Sequence, residues 1–409
     1  MFWLWPVGCT QPRTELLLHV NKGGIPLHFS EAEFAERQSK ATAQLQARNL
    51  DGLLMFAPES DYWICGYDTF GFALFQCLVL TADGRLHLLT RAPDLRQAQQ
   101  TSTLSDTHIH VWKDIEGVDP ALMLADLAGD LGLSGGRIGI ETNTAGLTGF
   151  NSDRVRRAFD GRAELVEASD LIPSLRRVKS LAEIECCRSA AALSDAALDA
   201  ALEITGPGAF EGDILAAMQG AVFRGGGDYA GNEFIIGSDQ RALLCRYASG
   251  RRHLDARDQL TLEWSGAWRR YHAAMMRTLI VGPANDQQRR MHAVVVEALA
   301  ACEAAIRPGA PMGDVFDAHA RVFDRNGFSH ARLNACGYGM GAVYNPIWVD
   351  FPMFYEGNPL PMEAGNVFFL HMILMDSDPG LAMCWGHSVL VKPDGVERLS
   401  KKSLELLEL

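Results

Sequence analysis

Between Glu263 and Arg277 the chain gathers Glu263, Trp264, Trp268, Arg269, Arg270, Tyr271, His272 and Arg277, and further on it adds Arg332, Tyr338, His371 and His387. A carboxylate can attack carbon or take a proton from water, an imidazole moves protons near neutral pH, and a planar guanidinium grips a carboxylate at two points. Such a set suits attack on an electrophilic carbon with proton transfer to a leaving group. Glu263 is the expected nucleophile or base for a water, and His272 or His371 the expected proton donor to the leaving group. The alternative keeps Glu263 as a buried acid paired with Arg270 or Arg277, and His272 as a hydrogen-bonded core histidine. Arg332 and Arg270 are the candidates to hold a substrate carboxylate. Tyr338, Tyr271 and His387 are candidates for further substrate contacts. Phe70 and Phe72, beside Tyr62, Trp63 and Tyr67, either box a cationic or zwitterionic ligand or belong to the core. The aromatic and proline-rich run Tyr344–Pro361 reads as a pocket wall or lid, or as a dimer contact.

The elements that position these groups need more than one core. The chain has 409 residues, and single cores stop growing near roughly 250–300, so two domains are expected. Hydrophobic residues make up 48% and charged residues 21%, with 39 Gly and 17 Pro, the make-up of a globular chain and not of a disordered or collagen-like one. The net charge of −13, with no block of Lys and Arg, argues against nucleic acid as partner. Nine cysteines without a CxxC spacing fit reduced thiols in a cytoplasmic protein. The apolar start Met1–Cys9 has no basic leader and is too short to span a bilayer, so it is read as an ordered arm or an upstream-start artefact, with secretion second.

The first part alternates element types. Phe29–Arg48 reads as a helix behind a Ser30 cap with Glu33 at capping-box spacing. Strands are expected at Leu53–Ala57, Ala73–Thr81, Arg85–Thr90 and Arg137–Glu141, and helices at Pro120–Leu131 and Ser152–Phe159, a three-layer α/β domain. The second part declares itself by a repeat: Pro207-Gly208-Ala209-Phe210-Glu211-Gly212-Asp213 recurs as Pro308-Gly309-Ala310-Pro311-Met312-Gly313-Asp314, offset by 101 residues, and Gly226 is matched by Gly327. The long helical stretches Ala182–Ile204 and Asp286–Ile306 stand before the two copies. One domain built of two related halves follows, with helices on one face of an antiparallel sheet. Its strands are expected at Glu233–Gly237, Gln259–Trp264, Tyr271–Val281, Val367–Met375 and Leu381–Val391.

With these residues in place a family pattern is visible. Leu175-Arg176-Arg177-Val178-Lys179-Ser180 before Glu183-Ile184, the duplicated Pro-Gly turns, the strand ending Arg277-Thr278, the loop Gly337-Tyr338-Gly339-Met340-Gly341 and the last strand before Asp394-Gly395 resemble the creatinase/prolidase family. The resemblance spans nearly the whole chain. It implies an arm over 1–28, an α/β creatinase-like N-terminal domain over 29–174, and an α+β pita-bread catalytic domain with internal pseudo-two-fold repeat over 175–409. Most of the family are Xaa-Pro peptidases whose two metal ions are held by two Asp, one His and two Glu. The matching positions here read Glu263, Ala274, Tyr338, His371 and Gly386, so the resemblance implies loss of that two-metal site. His272, two residues before Ala274, would share its face in a strand.

The dense polar set that remains resembles the metal-independent branch of the family, which cleaves C–N bonds in small polar nitrogen compounds, and within it the ectoine hydrolases. The ten-residue motif Glu263-Trp264-Ser265-Gly266-Ala267-Trp268-Arg269-Arg270-Tyr271-His272, with Gly337-Tyr338, carries that likeness. His387 departs from it, standing where that group keeps an acid. For a creatinase-like catalytic histidine the loop Gly237–Asp258 offers only Cys245 or Arg246, neither a good base. The implied protein is a cytoplasmic homodimer without metal or cofactor that hydrolyses a small molecule, with no membrane partner. Two other readings stay open: a rearranged metal site from Glu263, His272 and His371, with Xaa-Pro peptidase-like activity, and a non-catalytic binding relative.

Overall fold

The computed structural model describes residues 26–247 and 250–409, so Met1–Cys9 and most of the expected arm lie outside the described residues. The first sheet has six strands: β1 (Gly52–Met55), β2 (Cys77–Thr81), β3 (Leu86–Arg91), β4 (Ile109–Trp112), β5 (Arg137–Ile140) and β6 (Glu164–Glu167), ordered β4-β3-β2-β1-β5-β6. Its central strands are apolar on both faces because helices cover both. Leu54, Val79 and Leu89 pack with Leu124, Val155 and Phe159 on one side. Leu53, Met55, Leu78 and Leu80 pack with Ala41, Leu45 and Leu171 on the other. This is the expected three-layer arrangement. The sheet is mixed: β1 pairs antiparallel with β2 and parallel with β5. The edge strands β4 and β6 were not expected from sequence, since they are half-exposed and lack a continuous apolar run.

The first helix, Glu31–Ala47, starts at the Ser30 cap, whose hydroxyl accepts the Glu33 N–H. The capping box is only half formed there, because the Glu33 carboxylate turns to Arg37 and Ser180 instead of returning to the cap. Complete boxes head the two long helices of the second domain, Leu181–Ile204 by Ser180/Glu183 and Asp286–Ala305 by Asn285/Gln288.

The second sheet has nine strands. Its main path runs through β7 (Ile235–Ser238), β8 (Asp258–Trp268), β9 (Tyr271–Val281), β10 (Ala335–Gly339), β11 (Asp350–Tyr355), β12 (Val367–Asp376) and β13 (Leu381–Lys392), in the order β11-β10-β12-β13-β9-β8-β7. Two short strands, β14 (Gly395–Arg398) and β15 (Leu407–Glu408), flank β13 and β9. Strand β11 falls inside the run expected to be a wall or lid loop. The repeat is reproduced in backbone conformation. Gly208 and Gly309 share φ +83° and +84°, and Gly226 and Gly327 share +81° and +82°, a region that suits glycine. After each Pro-Gly turn an isolated antiparallel bridge forms, Phe210 with His253 and Pro311 with Pro361.

The helices lie on one face, and the helix Leu181–Ile204 sits close enough on β8 to exclude a side chain at Gly266. A Cβ there would meet the Ala190 carbonyl oxygen at 2.1 Å, and the Gly266 N–H already donates to the Ser194 hydroxyl at 2.6 Å. Gly266→Ala is therefore expected to destabilise the protein by an amount at or above the upper end of about 1–3 kcal/mol, because backbone and not a flexible side chain must move. Chemical denaturation monitored by circular dichroism checks this; an unchanged midpoint would contradict the packing.

Candidate functional site

The opposite face of the second sheet carries the candidate site. Across neighbouring strands the register aligns Glu263 with Met276, Met276 with Gly386, and Gly386 with His371. These four residues form one row over β8, β9, β13 and β12, so their side chains share a face. Tyr338 on β10 pairs with Phe369, two residues from His371, and joins that face. On a flat sheet with strands about 4.8 Å apart, Tyr338 would lie roughly 19 Å from Glu263, four strands away. The two nevertheless lie close enough for the Tyr338 hydroxyl to lower the Glu263 pKa. The sheet must curl around the site to allow it, which no strand pattern in the sequence expresses.

The Tyr338 hydroxyl accepts the Trp348 indole N–H at 2.8 Å and faces the Glu263 carboxyl. Burial pushes the Glu263 carboxyl up to about 7, while the facing Arg246 and the Tyr338 hydroxyl pull it down. His371 is held down to about 4 by burial, so it is neutral at physiological pH, and Arg246 adds to that effect. Its Nδ1 is buried with no hydrogen-bond partner. Its ring lies 5.6 Å from Tyr338 and 5.5 Å from Phe369. Cys245 and Cys384 also face Glu263, and burial keeps both thiols protonated. The eight cysteines among the described residues are all free.

Thus Glu263, Tyr338 and His371 share one face of the sheet, and neither Arg270 nor Arg277 is the partner of Glu263. Arg277 points to the helical face, where its guanidinium donates to the Met276 and Gly386 carbonyls. The remaining candidates are placed elsewhere. His272 is fully buried with both ring nitrogens committed: Nδ1 donates to the Arg270 carbonyl at 2.7 Å, and Nε2 accepts the Gly231 N–H at 2.8 Å. With burial holding it near 4, it has no free nitrogen for proton transfer. Tyr271, one residue away and so on the other face, donates to Glu183 at 2.5 Å. His387 likewise points to the helices and sits 2.7 Å from Glu303, which Arg398 also grips.

Arg332 is held by Asp324 at 2.8 Å, outside the Glu263 cluster. Arg270 and Arg269 form the two-residue turn between β8 and β9 with φ of +66° and +50°. That left-handed turn sends both side chains to the first domain: Arg270 bonds Asp68, and Arg269 bonds the His28 carbonyl. Phe72 packs on Tyr344 within the chain, whereas Phe70 is 71% exposed. Arg246 and Trp348 are the polar members that residue-type reasoning left without a role. Both sit on irregular backbone, where no period tells which way a side chain points.

A metal ion does not fit this donor set. Ala274 and Gly386 offer no ligand atoms, His272 is engaged on both nitrogens, and no group of three His, Cys, Asp or Glu among the described residues could hold one. The rearranged site of Glu263, His272 and His371 fails for that reason. None of the described helices is long and apolar enough to cross a membrane.

Comparison with known proteins finds the model of metallopeptidase family M24 matching residues 185–393, and that of the creatinase/prolidase N-terminal domain matching residues 37–178. An uncharacterized hydrolase/peptidase of Sinorhizobium fredii is 27% identical, over 93% of this chain and 98% of that protein. The ectoine hydrolase of Halomonas elongata is 25% identical, over 92% of this chain and 97% of that protein. Among solved structures, prolidase from Thermococcus sibiricus superposes with a TM-score of 0.83 at 18% identity, covering 93% of this chain and all of that one (100%), a likeness of fold.

Proposed function

Because the chain belongs to metallopeptidase family M24 and is a hydrolase of that family, we propose that it cleaves a C–N bond in a small zwitterionic nitrogen compound, without a metal ion. The observation that carries this reading is Glu263: a carboxyl raised to about 7, beside the Tyr338 hydroxyl and facing Arg246, in a row whose other positions are Met276, Gly386 and His371. A group of that pKa can take a proton near neutral pH and give it back. Glu263 removes a proton from water, the hydroxide oxygen bonds to the sp2 carbon, and the C–N bond breaks as the same proton passes to the departing nitrogen. The Trp348 N–H occupies the Tyr338 oxygen, leaving its own proton for Glu263. His371 serves as a neutral hydrogen-bonding group and not as the acid, since burial keeps it unprotonated. Arg246 supplies the positive charge that a substrate carboxylate requires.

The likeness to an ectoine hydrolase over most of both chains supports a cyclic amidine as substrate. The test is turnover of ectoine, hydroxyectoine, creatine and Xaa-Pro dipeptides, followed by NMR, before and after chelation and with metal content determined on the same sample. Ring opening that survives chelation is expected. Xaa-Pro cleavage that depends on added divalent ion would overturn the reading, and binding without turnover would make the protein a non-catalytic relative. The proposal includes a homodimer in which the exposed Phe70 reaches the partner's pocket; a monomer by sedimentation would sink that part.

A further inference from the structure

The imidazole of His272 is in hydrogen-bond distance of two backbone groups that belong to different walls of the site. Its Nδ1–H goes to the Arg270 carbonyl, which also accepts the Val343 N–H at 3.1 Å, at the start of the run that carries Trp348. Its Nε2 accepts from Gly231, on the segment leading into β7. Gly231 in turn is pressed against that same run: a Cβ there would meet the Ile347 carbonyl oxygen at 2.9 Å and the Trp348 nitrogen at 3.0 Å. The next residue, Asn232, accepts the Trp348 backbone N–H through Oδ1 at 3.1 Å. Trp348 is buried, and its indole makes the 2.8 Å bond to Tyr338.

We infer that His272 and Asn232 are positioning residues which, through Gly231 and Trp348, hold the Tyr338 hydroxyl oxygen so that its proton is directed toward Glu263. A hydroxyl rotor has one proton and can accept as well as donate. With the indole N–H seated on its oxygen, the proton is left to point at the carboxylate; with the indole displaced, the rotor is free. The Nδ1–H tautomer is required, because Nδ1 faces a carbonyl and Nε2 faces an N–H. Asp228 ties the same segment to the β8–β9 hairpin, through its N–H to the Ala267 carbonyl and its carboxylate to the Arg270 N–H, and the His272–Gly231 bond is the link that stands next to the Trp348 run. The role rests on the proposed function only in naming Glu263 as the group served, and its test needs no substrate.

The experiment is hydrogen exchange of the Trp348 indole N–H in the full chain labelled with 15N-tryptophan, its resonance identified by loss in Trp348→Phe. Wild type is expected to show a protected indole. His272→Phe and Asn232→Ala should each lower that protection several-fold to about tenfold, the effect of one ordinary hydrogen bond. His272→Gln, whose Oε1 can take the Gly231 N–H, and Asn232→Asp, which keeps the acceptor for Trp348, should restore most of it. Unchanged protection in folded Asn232→Ala or His272→Phe overturns the inference, as does a His272→Gln that loses as much as His272→Phe. Should His272→Phe not fold, the Asn232 pair decides alone. A failure here leaves the substrate screen untouched, and a failed screen leaves these exchange rates untouched, so the two can fall separately.

Discussion

Glu263→Gln is expected to lower turnover by about a hundred- to ten-thousand-fold, the range of a positioned acid–base group, with the fold intact. The amide keeps the size and can still accept from Tyr338, but it cannot take the proton of the attacking water. The same substitution should raise stability, and the sign follows from the pKa. Burial holds the folded carboxyl at about 7, above its ordinary 4.5. The unfolded chain therefore releases its proton first, and stability is lost as pH rises from 4.5 through 7. Above pH 7 wild type carries the cost of a partly buried charge, about 1–3 kcal/mol once solvent screening is allowed for, and the glutamine does not. Below pH 4.5 the two should coincide. Activity of wild type, expressed as kcat/KM, should fall tenfold per pH unit below about 7 as the carboxylate is protonated, and this limb should vanish with the residual rate of the variant. Denaturant midpoints at pH 4 and pH 8, with a pH profile, check both halves. A variant that is inactive and also less stable at pH 8 would place Glu263 among the structural acids.

Glu211→Gln should do the opposite: destabilise strongly, and damage the site from a distance. Glu211 is fully buried. One carboxylate oxygen accepts the Ser238 N–H and hydroxyl at 2.9 and 2.5 Å, and the other accepts the N–H groups of Arg251 and Arg252 at 2.9 and 3.1 Å. It closes the segment between β7 and β8 that carries Cys245 and Arg246. An amide would turn an NH2 toward two backbone donors or toward Ser238. Leaving a pair of buried donors without an acceptor costs roughly 2–6 kcal/mol. The expected result is a lower unfolding midpoint together with a weaker hold on substrate, because the segment that brings Arg246 toward Glu263 loosens. A midpoint within error of wild type would show that the segment is held by other contacts. Arg246→Ala separates the two effects, as it should weaken substrate binding while leaving the midpoint near that of wild type.

Much of the fold could be read from the residues because it depends on local rules. The first helix announced itself by its Ser30 cap, and the long helices of the second domain by the length of their helical stretches. The central strands did so by continuous apolar runs, and the doubled catalytic domain by an offset that reappears as matching glycine φ values. Half-exposed edge strands such as β6, and β10 with its glycines, carry no such signal. Within the site, Glu263 and His371 were legible because regular strands and a family pattern placed them. Tyr338 was placed by the same family pattern, yet its approach to Glu263 depends on a sheet curled through four strand spacings.

Two of the residues that moved away did so through the choice of sheet face. Alternation along β9 and β13 puts Tyr271 and His387 on the helical face, but the choice of face is made by register with neighbouring strands, and register is a property of the sheet. His272 shows the complementary limit. It does lie in the strand beside the site, and only the backbone groups of Arg270 and Gly231, brought to it from two loops, convert a candidate acid into a brace. Sequence by itself determined the family, the two domains, the duplicated half and the single surviving carboxylate at Glu263. Tertiary structure alone decided which polar side chains face that carboxylate, because curvature, register and loop carbonyls are set by long-range contacts that residue type and spacing do not encode.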